Sequence, residues 1–277
     1  MTLLQTVDEN AGSRCVWAVV SLSGPHGAGR GQGQECATVR LTRVLTIGFP
    51  AVIAGTNCYV LAPAEGEECL IVDPGVGVTG QLAELLREHR LRPAAVLLTH
   101  GHFDHVYSVT PVCGSADVPA YIHGDDRYRL KDPLSSVGPE LIAMFEQQFG
   151  QKAGWKEPAD VLNLVDGQEL RLAGLDLRVM HAPGHTEGSV MFALPEVPDG
   201  VTDEASVRST VLSGDVLFAG SIGRTDLQGG DGAAMNRSLR DVVLPLADDV
   251  LILPGHGPGT TMQRERVTNP YLQGLVS

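Results

Sequence analysis

Four side chains of types that bind metal ions lie close together in the first half of the chain. They are His100, His102, Asp104 and His105, in the segment Thr-His-Gly-His-Phe-Asp-His. Imidazole and carboxylate groups are ligands that zinc, iron and manganese all accept. Because so dense a group of polar residues serves no packing purpose, the segment predicts a metal site rather than a set of core or surface histidines.

Three further candidate ligands occur later in the chain. They are needed because the first cluster alone does not supply enough ligands for two metal ions. His185, Asp215 and His256 each follow an apolar stretch by a few residues, and each has a glycine beside it. A lone histidine after a strand is more often a core or surface residue, but here the pattern repeats. Side chains at strand ends can converge along one edge of a sheet. Together with the first four, they predict a dinuclear metal centre.

The elements that must position these residues alternate between short strands and helices. Aliphatic and β-branched runs bounded by Gly, Pro and Asn are typical of strands, and leucines at helical spacing indicate helices. The predicted strands are 39–47, 58–61, 69–72, 95–98, 170–180, 189–194, 210–212 and 250–253. The predicted helices are 79–91, with Thr79 as its cap, and 139–149. The pattern favours one α/β domain with mixed sheets.

The first 38 residues differ from the rest of the chain. Residues 24–33 contain five glycines and no hydrophobic period, which is typical of a flexible segment. We therefore expect residues 1–38 to form a disordered extension without chemistry, and residues 39–277 to form the folded domain. The acidic, proline-containing stretch 195–209 is predicted to be a surface loop.

Charge and composition exclude several classes of partner. The chain has 33 acidic and 20 basic residues and a formal net charge of −13, which argues against nucleic acid or an anionic membrane as partner. No apolar run approaches the roughly 20 residues of a spanning helix, and residues 15–22 make a poor signal peptide. Five cysteines without a Cys-x-x-Cys pair suggest neither a disulfide framework nor a zinc ribbon. A cytoplasmic protein is expected.

The string His100-x-His102-x-Asp104-His105, together with the three later candidates, resembles the metal-binding motif of the metallo-β-lactamase superfamily over about residues 39–277. The resemblance implies an α/β fold of the αββα type, a four-layer sandwich of two mixed β-sheets flanked by helices. It also implies two divalent metal ions, zinc first and iron or manganese as alternatives. The implied ligands are His100, His102 and His185 for one ion, Asp104, His105 and His256 for the other, and Asp215 as the bridge.

Two shorter segments resemble the glyoxalase II-like branch of that superfamily. They are residues 214–226, which end in Gly-Arg-Thr-Asp, and the Asn-Pro-Tyr-Leu that begins at Asn269. This branch hydrolyses thioesters of hydroxy acids. The chain ends at residue 277, soon after His256, so it resembles the shorter type without a C-terminal helical domain. Since that domain carries much of the glutathione contact in the longer type, the thiol of the substrate is left open.

The chemistry of such a centre agrees with thioester hydrolysis. Two divalent ions, the carboxylates of Asp104 and Asp215 and a bridging hydroxide leave a net positive charge. A pair of this kind lowers the pKa of bound water from about 15.7 toward about 7 and stabilises an oxyanion. A thiolate, whose conjugate pKa is roughly 8.5, departs without a proton donor. The predicted function is a hydroxyacyl-thiol hydrolase whose substrate is a small-molecule thioester.

Two other residues receive predicted roles. Arg224, in the Gly-Arg-Thr-Asp turn, could bind a substrate carboxylate or pair with Asp226 or Asp231, and both readings stay open. Asp73 follows a predicted strand and is expected to fix a turn or orient a metal ligand rather than bind metal itself. The predicted helix 139–149 could cover the centre as a lid or serve only in packing.

Several rival functions share the same motif. A persulfide dioxygenase of this superfamily uses one iron, and a lactonase can carry all seven ligands. A zinc β-lactamase is disfavoured because such enzymes typically have Cys or Ser in place of Asp215, and a nucleic-acid hydrolase is disfavoured by the negative charge. The sequence does not predict the acyl group, the thiol, the native metal or the oligomeric state.

Overall fold

The computed structural model describes residues 43–134, 137–138, 142–144, 147, 156–201 and 207–276, and the backbone of two short N-terminal strands. These strands, β1 (Leu4–Val7) and β2 (Cys15–Ala18), pair antiparallel. The rest of the first 42 residues lies outside the described residues. The expectation that residues 1–38 form a disordered extension therefore stays a prediction.

A seven-stranded mixed sheet forms one half of the domain. It consists of β3 (Arg43–Pro50), β4 (Asn57–Ala62), β5 (Glu68–Val72), β6 (Arg92–Leu97), β7 (Ala120–His123), β8 (Val161–Leu164) and β12 (Val197–Pro198). The spatial order is β12-β3-β4-β5-β6-β7-β8. The pairs β3–β4 and β4–β5 are antiparallel, whereas β5 to β8 run parallel. The candidate ligand cluster follows β6.

A six-stranded sheet forms the other half. It consists of β9 (Glu169–Leu172), β10 (Leu175–His181), β11 (Val190–Leu194), β13 (Ser209–Gly214), β16 (Val250–Pro254) and β17 (Thr260–Thr261). Its spatial order is β17-β16-β13-β11-β10-β9. A separate small hairpin, β14 (Leu217–Phe218) and β15 (Ser221–Ile222), follows β13. The remaining candidate ligands follow β10, β13 and β16.

Helices cover the outer face of each sheet. The α-helices are Thr79–Glu88, Phe103–Val106, Val109–Ala116, Gly232–Ser238, Met262–Thr268 and Pro270–Val276. A 3₁₀ helix spans Gly124–Leu130 and a π-helical turn spans Leu239–Val243. Among the described residues, no helix combines the length and the apolar character that crossing a bilayer requires.

Three hydrophobic clusters define four layers. Leu61 and Leu97 from the first sheet meet Phe192 from the second in the central cluster. Val60 and other residues of the opposite face of the first sheet pack against the helices that include Leu82, while the outer face of the second sheet packs against the C-terminal helices. Neighbouring strand residues such as Val60 and Leu61 thus point into different clusters. Strands buried on both faces are typically continuous apolar runs. The layers of helix, sheet, sheet and helix confirm the αββα sandwich expected for this chain.

One predicted strand is wrong. Residues 170–180 form not one strand but a hairpin, in which β9 and β10 pair antiparallel. The turn between them has two left-handed residues, Ala173 (φ 50°) and Gly174 (φ 72°), the geometry of a tight two-residue hairpin turn. Apolar residues alternate on both sides of the turn and alanine gives no turn signal, so Gly174 was the one local indication of the reversal.

The first long helix also differs from its prediction. It begins at Thr79, with Val78 as its N-cap and without a side-chain cap, so Thr79 does not have the predicted capping role. The helix ends at Glu88 rather than at residue 91, because Arg90 turns to a left-handed conformation (φ 55°), as residues just beyond helix C-termini commonly do.

Two other expectations fall partly outside the described residues. Within the predicted helix 139–149, residues 142–144 and 147 are helical, and its role as a lid remains a prediction. The stretch 195–209 is not entirely a loop, since it contains β12, which pairs with β3.

Candidate metal centre

The seven candidate ligands come together at one edge of the two sheets. β10 and β13 are both antiparallel to β11, and β13 is parallel to β16, so these three strands run in one direction. Their carboxyl ends lie at the same edge of the sheet, and each is followed within a few residues by one candidate ligand, respectively His185, Asp215 and His256. The first sheet contributes the four residues after β6.

Three histidines form the first group. The Nε2 atom of His100 lies 3.2 Å from Nδ1 of His102, which in turn lies 2.8 Å from Nε2 of His185. All three side chains are buried. Three ring nitrogens that close together can present their lone pairs to a common point, as the ligands of a zinc ion do, and they form a group able to hold a metal ion.

A second group lies beside the first. The Nε2 atom of His256 lies 3.3 Å from Oδ2 of Asp104 and 3.3 Å from Nε2 of His105. These three residues form another group whose ligand atoms could hold one ion. The Thr56 hydroxyl donates to Asp104 Oδ2 at 2.9 Å, which fixes the orientation of that carboxylate.

Asp215 lies between the two groups. Its Oδ2 atom is 3.5 Å from Nε2 of His185, in the first group, and 3.4 Å from Nε2 of His256, in the second. Its Oδ1 atom is 3.4 Å from Nε2 of His105. Among the described residues, Asp215 Oδ1 is one of the few buried side-chain atoms without a hydrogen-bond partner. A buried anionic oxygen costs several kcal/mol unless it is paired, so the site fits bound cations.

Other protein groups hold the second nitrogen of several histidine rings. Nδ1 of His105 lies 2.9 Å from Asp73 Oδ2, and Nδ1 of His185 lies 2.8 Å from the Arg224 carbonyl oxygen. Nδ1 of His100 lies 3.1 Å from the Thr99 hydroxyl, which itself donates to Asp73 Oδ2 at 2.6 Å. Such contacts fix the ring tautomer and leave Nε2 free as a ligand.

Asp73 lies behind the candidate metal ligands rather than among them. It is buried, has a left-handed backbone (φ 50°) and also accepts the Thr99 backbone N–H at 2.8 Å. These contacts are those expected of a residue that orients His105 and Thr99 without binding metal itself.

Burial and neighbouring charges set the protonation of the site. Burial lowers the pKa of His100 and His185, and lowers the pKa of His102 to about 3. Burial would raise the pKa of Asp104, but the adjacent His105 and His256 lower it instead. Neutral imidazoles and ionised carboxylates are the forms that bind metal ions.

His105 differs from the other histidines in its protonation. Burial would lower its pKa, but the carboxylates of Asp215, Asp104 and Asp73 outweigh burial and raise it well above the usual value. These carboxylates therefore stabilise a positive charge placed between them, whether it is a proton or a metal ion.

Glycines stand beside two of the candidate ligands because other side chains lie very close to the backbone at these positions. At Gly255, a Cβ atom would lie 2.2 Å from Asp215 Oδ1 and 2.8 Å from Cε1 of His105. At Gly214, which has a left-handed backbone (φ 49°), a Cβ atom would lie 2.6 Å from Cβ of Thr99. A side chain at Gly255 would collide with two candidate ligands, and one at Gly214 would collide with Thr99, which contacts His100.

Arg224 pairs with a neighbouring acid. Its Nε and Nη2 atoms donate to the two carboxylate oxygens of Asp226, each at 2.7 Å, and both side chains are exposed. Asp231 instead accepts the backbone N–H groups of Ala233 and Ala234 and caps the helix Gly232–Ser238. The Arg224 side chain thus forms the ion pair with Asp226 that is the alternative to substrate binding. Its role in binding a substrate stays a prediction.

Two residues that hold the His256 loop have no predicted role in the sequence analysis. The Asn57 side-chain amide donates to the carbonyl oxygens of Pro254 and Gly257, each at 2.9 Å, and the Tyr59 hydroxyl donates to Pro254 at 2.8 Å. Burial raises the pKa of Tyr59, so its hydroxyl remains a donor. The signal available was that Asn57 and Tyr59 lie on a strand otherwise buried and apolar.

The Asn-Pro motif near the C-terminus braces the loop after Asp215. The Asn269 side-chain amide donates to the Ser221 carbonyl oxygen at 3.0 Å and to Glu265 Oε2 at 2.9 Å. Glu265, which is fully buried, also accepts the Gly220 backbone N–H at 2.7 Å and the Thr260 hydroxyl at 2.6 Å. The motif therefore supports the β14–β15 hairpin rather than the ligands directly.

His123 and His181 stack on one another outside the centre. Their rings are 4.0 Å apart and nearly parallel, at 11°. Together with Asp125 they form a third group of close ligand atoms. Because the two rings lie in nearly parallel planes, the in-plane lone pairs of their nitrogen atoms do not converge on one ion. Cys58, Cys69 and Cys113 are buried free thiols, as their pattern in the sequence suggested.

Comparison with known proteins places the chain among related sequences and structures. Residues 53–256 match the family model described as the metallo-beta-lactamase superfamily. A protein of Mycobacterium tuberculosis described as uncharacterized is 43% identical over 84% of this chain and 99% of its own length. The hydroxyacylglutathione hydrolase GloC of Haemophilus influenzae is 32% identical over 81% of this chain and 96% of its own.

Two solved structures are similar over most of the chain. The B3 metallo-beta-lactamase BLEG-1 has a TM-score of 0.67 and 34% identity, covering 83% of this chain and 100% of its own. The protein TTHA1623, solved in a di-iron-bound form, has a TM-score of 0.62 and 35% identity, covering 82% of this chain and 100% of its own.

Proposed function

The chain belongs to the metallo-β-lactamase superfamily, and from that premise we propose that it is a metal-dependent hydrolase of small-molecule thioesters, similar to glyoxalase II. The observation that carries the proposal is the position of Asp215. Its Oδ2 atom faces both groups of ligand atoms, and its Oδ1 atom faces His105 and is buried without a hydrogen-bond partner. Such a carboxylate suits a pair of divalent ions.

The chain's own residues would hold those ions in two neighbouring places. One place has His100, His102 and His185, the other has Asp104, His105 and His256, and Asp215 faces both. The donor set is mixed nitrogen and oxygen, which zinc, iron and manganese accept; the di-iron form of a structural relative supports two ions. When bound, divalent ions would lower the pKa of water and stabilise negative charge on a carbonyl oxygen.

The leaving group favours a thioester. Asp104 is held by Thr56 and faces His256, and Asp215 faces both histidine groups, so neither is free to deliver a proton to a departing amine. A thiolate needs no such proton, since the pKa of its thiol is roughly 8.5. The name of the Haemophilus influenzae relative, a hydroxyacylglutathione hydrolase, supports the same substrate class.

A thioester panel tests this proposal. Purified protein loaded with zinc, iron or manganese would be assayed with S-lactoylglutathione and with lactoyl and acetyl esters of other low-molecular-weight thiols. We expect turnover of at least one hydroxyacyl thioester, and its loss in the His102→Ala variant, which removes a candidate ligand from the first group. Absence of turnover with every thioester and every metal would end the thioesterase proposal.

The panel also decides between glutathione and another thiol. If a hydroxyacyl ester of another thiol has the higher kcat/KM, glutathione is not the carrier. Equal values for all thiols would mean that the enzyme recognises the acyl group instead.

A β-lactamase is the second candidate, because a B3 metallo-beta-lactamase is 34% identical and covers most of the chain. Hydrolysis of a chromogenic cephalosporin faster than of any thioester would favour it. The persulfide dioxygenase and lactonase alternatives are tested in the same way. One iron per chain with sulfite formation from a persulfide, or preferential opening of a lactone, would replace the thioesterase.

A cytoplasmic location and the absence of nucleic-acid and membrane partners remain predictions. The net charge of −13 supports them, since binding to polyanions requires a basic surface.

A further inference from the structure

A buried carboxylate behind the centre joins the two loops that carry the first histidine group. Asp126, which is fully buried, accepts the Gly101 backbone N–H and the Thr186 hydroxyl through Oδ2, each at 2.7 Å. Its other oxygen accepts the Gly188 backbone N–H at 3.0 Å. Gly101 lies between His100 and His102 in the sequence, and Thr186 follows His185, so one side chain connects both loops.

Arg129 balances the charge of this carboxylate. Its Nε atom lies 3.5 Å from Asp126 Oδ1 and its side chain is only 4% exposed. The Nη2 atom donates to Glu187 Oε2 at 2.9 Å and to the Gln228 carbonyl oxygen at 2.8 Å. Because a buried ion is costly without a partner, the pair is held in place together with the loop that contains Glu187.

The glycines of both loops pack closely against this pair. A Cβ atom at Gly101 would lie 2.6 Å from Cδ of Arg129, and a Cβ atom at Gly188 would lie 2.8 Å from Cβ of Asp126. Both backbones therefore lie directly against the Asp126–Arg129 pair. The distance between the two loops is set by that contact as well as by the hydrogen bonds.

The second group of ligands has a different support. Asn57 and Tyr59 hold the loop of His256, Thr56 holds Asp104, and Asp73 holds His105. The hydrogen bonds of Asp126 go to the loops of the first group.

We propose that Asp126 is a positioning residue that sets the spacing of His100 and His102 relative to His185, and thereby sets the metal affinity of this group separately from that of the other. The inference rests on the proposed function only in requiring that these histidines bind a metal ion. It does not depend on which substrate is hydrolysed.

The Asp126→Asn variant tests the inference by metal binding alone. An asparagine keeps one oxygen but places an amide group opposite the Gly188 N–H or the guanidinium, donor against donor. Metal-free protein would be titrated with zinc in competition with a chromogenic chelator. We expect two ions per chain in the unchanged protein, and an affinity about 10–100-fold lower for one of the two in the variant. The other affinity should be unchanged.

A pair of substitutions at the neighbouring residue refines the test and keeps it usable if Asp126→Asn fails to fold. Thr186→Val removes the hydroxyl that donates to Asp126 at nearly constant volume, and Thr186→Ser retains it. We expect Thr186→Val to weaken the same ion and Thr186→Ser to restore its affinity. A role confined to general stability would not distinguish the two ions.

Asp176→Asn provides a control at a carboxylate away from both loops. Asp176 is exposed and pairs with Arg171, and its substitution should leave both affinities equal to those of the unchanged protein. Equal weakening of both ions in Asp126→Asn, unchanged binding of both, or no zinc bound by the parent protein would each overturn the inference. Two-ion binding without thioester turnover would overturn only the proposed function.

Discussion

At the scale of single residues, the centre depends on carboxylate oxygens that face more than one histidine. Oδ2 of Asp215 lies near His185 and His256, and Oδ2 of Asp104 lies near His105 and His256. A carboxylate has several lone pairs and can face two cations at once, and Oδ1 of Asp215, which lies near His105, has no hydrogen-bond partner.

Replacing Asp215 by Asn should therefore disrupt the centre more than the loss of any outer contact. The amide has one oxygen and no charge, so we expect a decrease in kcat/KM larger than the roughly 10–100-fold typical for outer partners of a metal site. Elemental analysis should find fewer ions per chain. Asp176→Asn, at an exposed carboxylate paired with Arg171, is the control and should keep both the activity and the metal content. An Asp215→Asn variant with full metal content and full activity would contradict the assignment.

Replacing Arg224 distinguishes two roles of its side chain, substrate binding and an ion pair with Asp226. If its side chain leaves Asp226 to bind an anionic substrate, Arg224→Ala should raise KM for an anionic thioester about tenfold, the loss of one charge-assisted hydrogen bond. KM for a neutral thioester should change little, which serves as the internal control. Equal KM values for the variant and the unchanged protein would leave the exposed pair with Asp226 as the only role of the side chain.

At the scale of elements, the glycines next to ligands are the tightest points. Gly255→Ala would place a methyl group 2.2 Å from Asp215 Oδ1, so we expect it to reduce metal content and activity strongly. Circular dichroism should show that the fold persists, since the backbone at this position is not left-handed. The matched control is Gly80→Ala, in the helix Thr79–Glu88, where a Cβ atom meets nothing within 4 Å.

The Gly80→Ala control carries its own prediction. Alanine has the higher helix propensity and reduces the entropy of the unfolded chain, so the free energy of unfolding should rise by about 0.5–1 kcal/mol. Urea denaturation measures this directly. A decrease would mean that the helix position contacts something outside the described residues.

At the scale of the whole molecule, bound ions should stabilise the fold, because their ligands come from both sheets. His100 and His102 follow β6 of the first sheet, whereas Asp215 and His256 follow strands of the second. Ligand binding to the native state alone stabilises it by about 4 kcal/mol at a free concentration 1,000 times Kd. Treatment with a chelator should therefore lower the melting temperature measured by calorimetry, and added zinc should restore it. An unchanged melting temperature would indicate that no ion links the two sheets.

Much of this architecture was predictable from local patterns. The candidate ligands are recognisable by their residue types and by their positions directly after apolar strands, so the site could be located before any fold was known. The strands at 58–61, 69–72 and 250–253 are apolar throughout because both of their faces are buried, and they were found at nearly the correct bounds.

The remaining features depend on contacts that no local pattern contains. The reversal at residues 173–174 was missed because alanine rarely takes a left-handed conformation and a single glycine, Gly174, interrupts an otherwise regular alternation. The role of Asp126 depends on backbone groups at 101 and 188, far apart in sequence, and an aspartate after a strand is otherwise one acidic residue among many. The pairing of Arg224 with Asp226 rather than Asp231 is likewise a matter of loop geometry.

The support that Asn269 and Glu265 give to the β14–β15 hairpin has a practical consequence for handling the protein. The last two helices lie on the second sheet and are fastened to the loop after Asp215. A purification tag or surface tether that pulls on the C-terminal helix would therefore transmit force to the sheet edge at which the candidate ligands lie. Immobilisation through the helix Thr79–Glu88, on the opposite outer layer, would spare it.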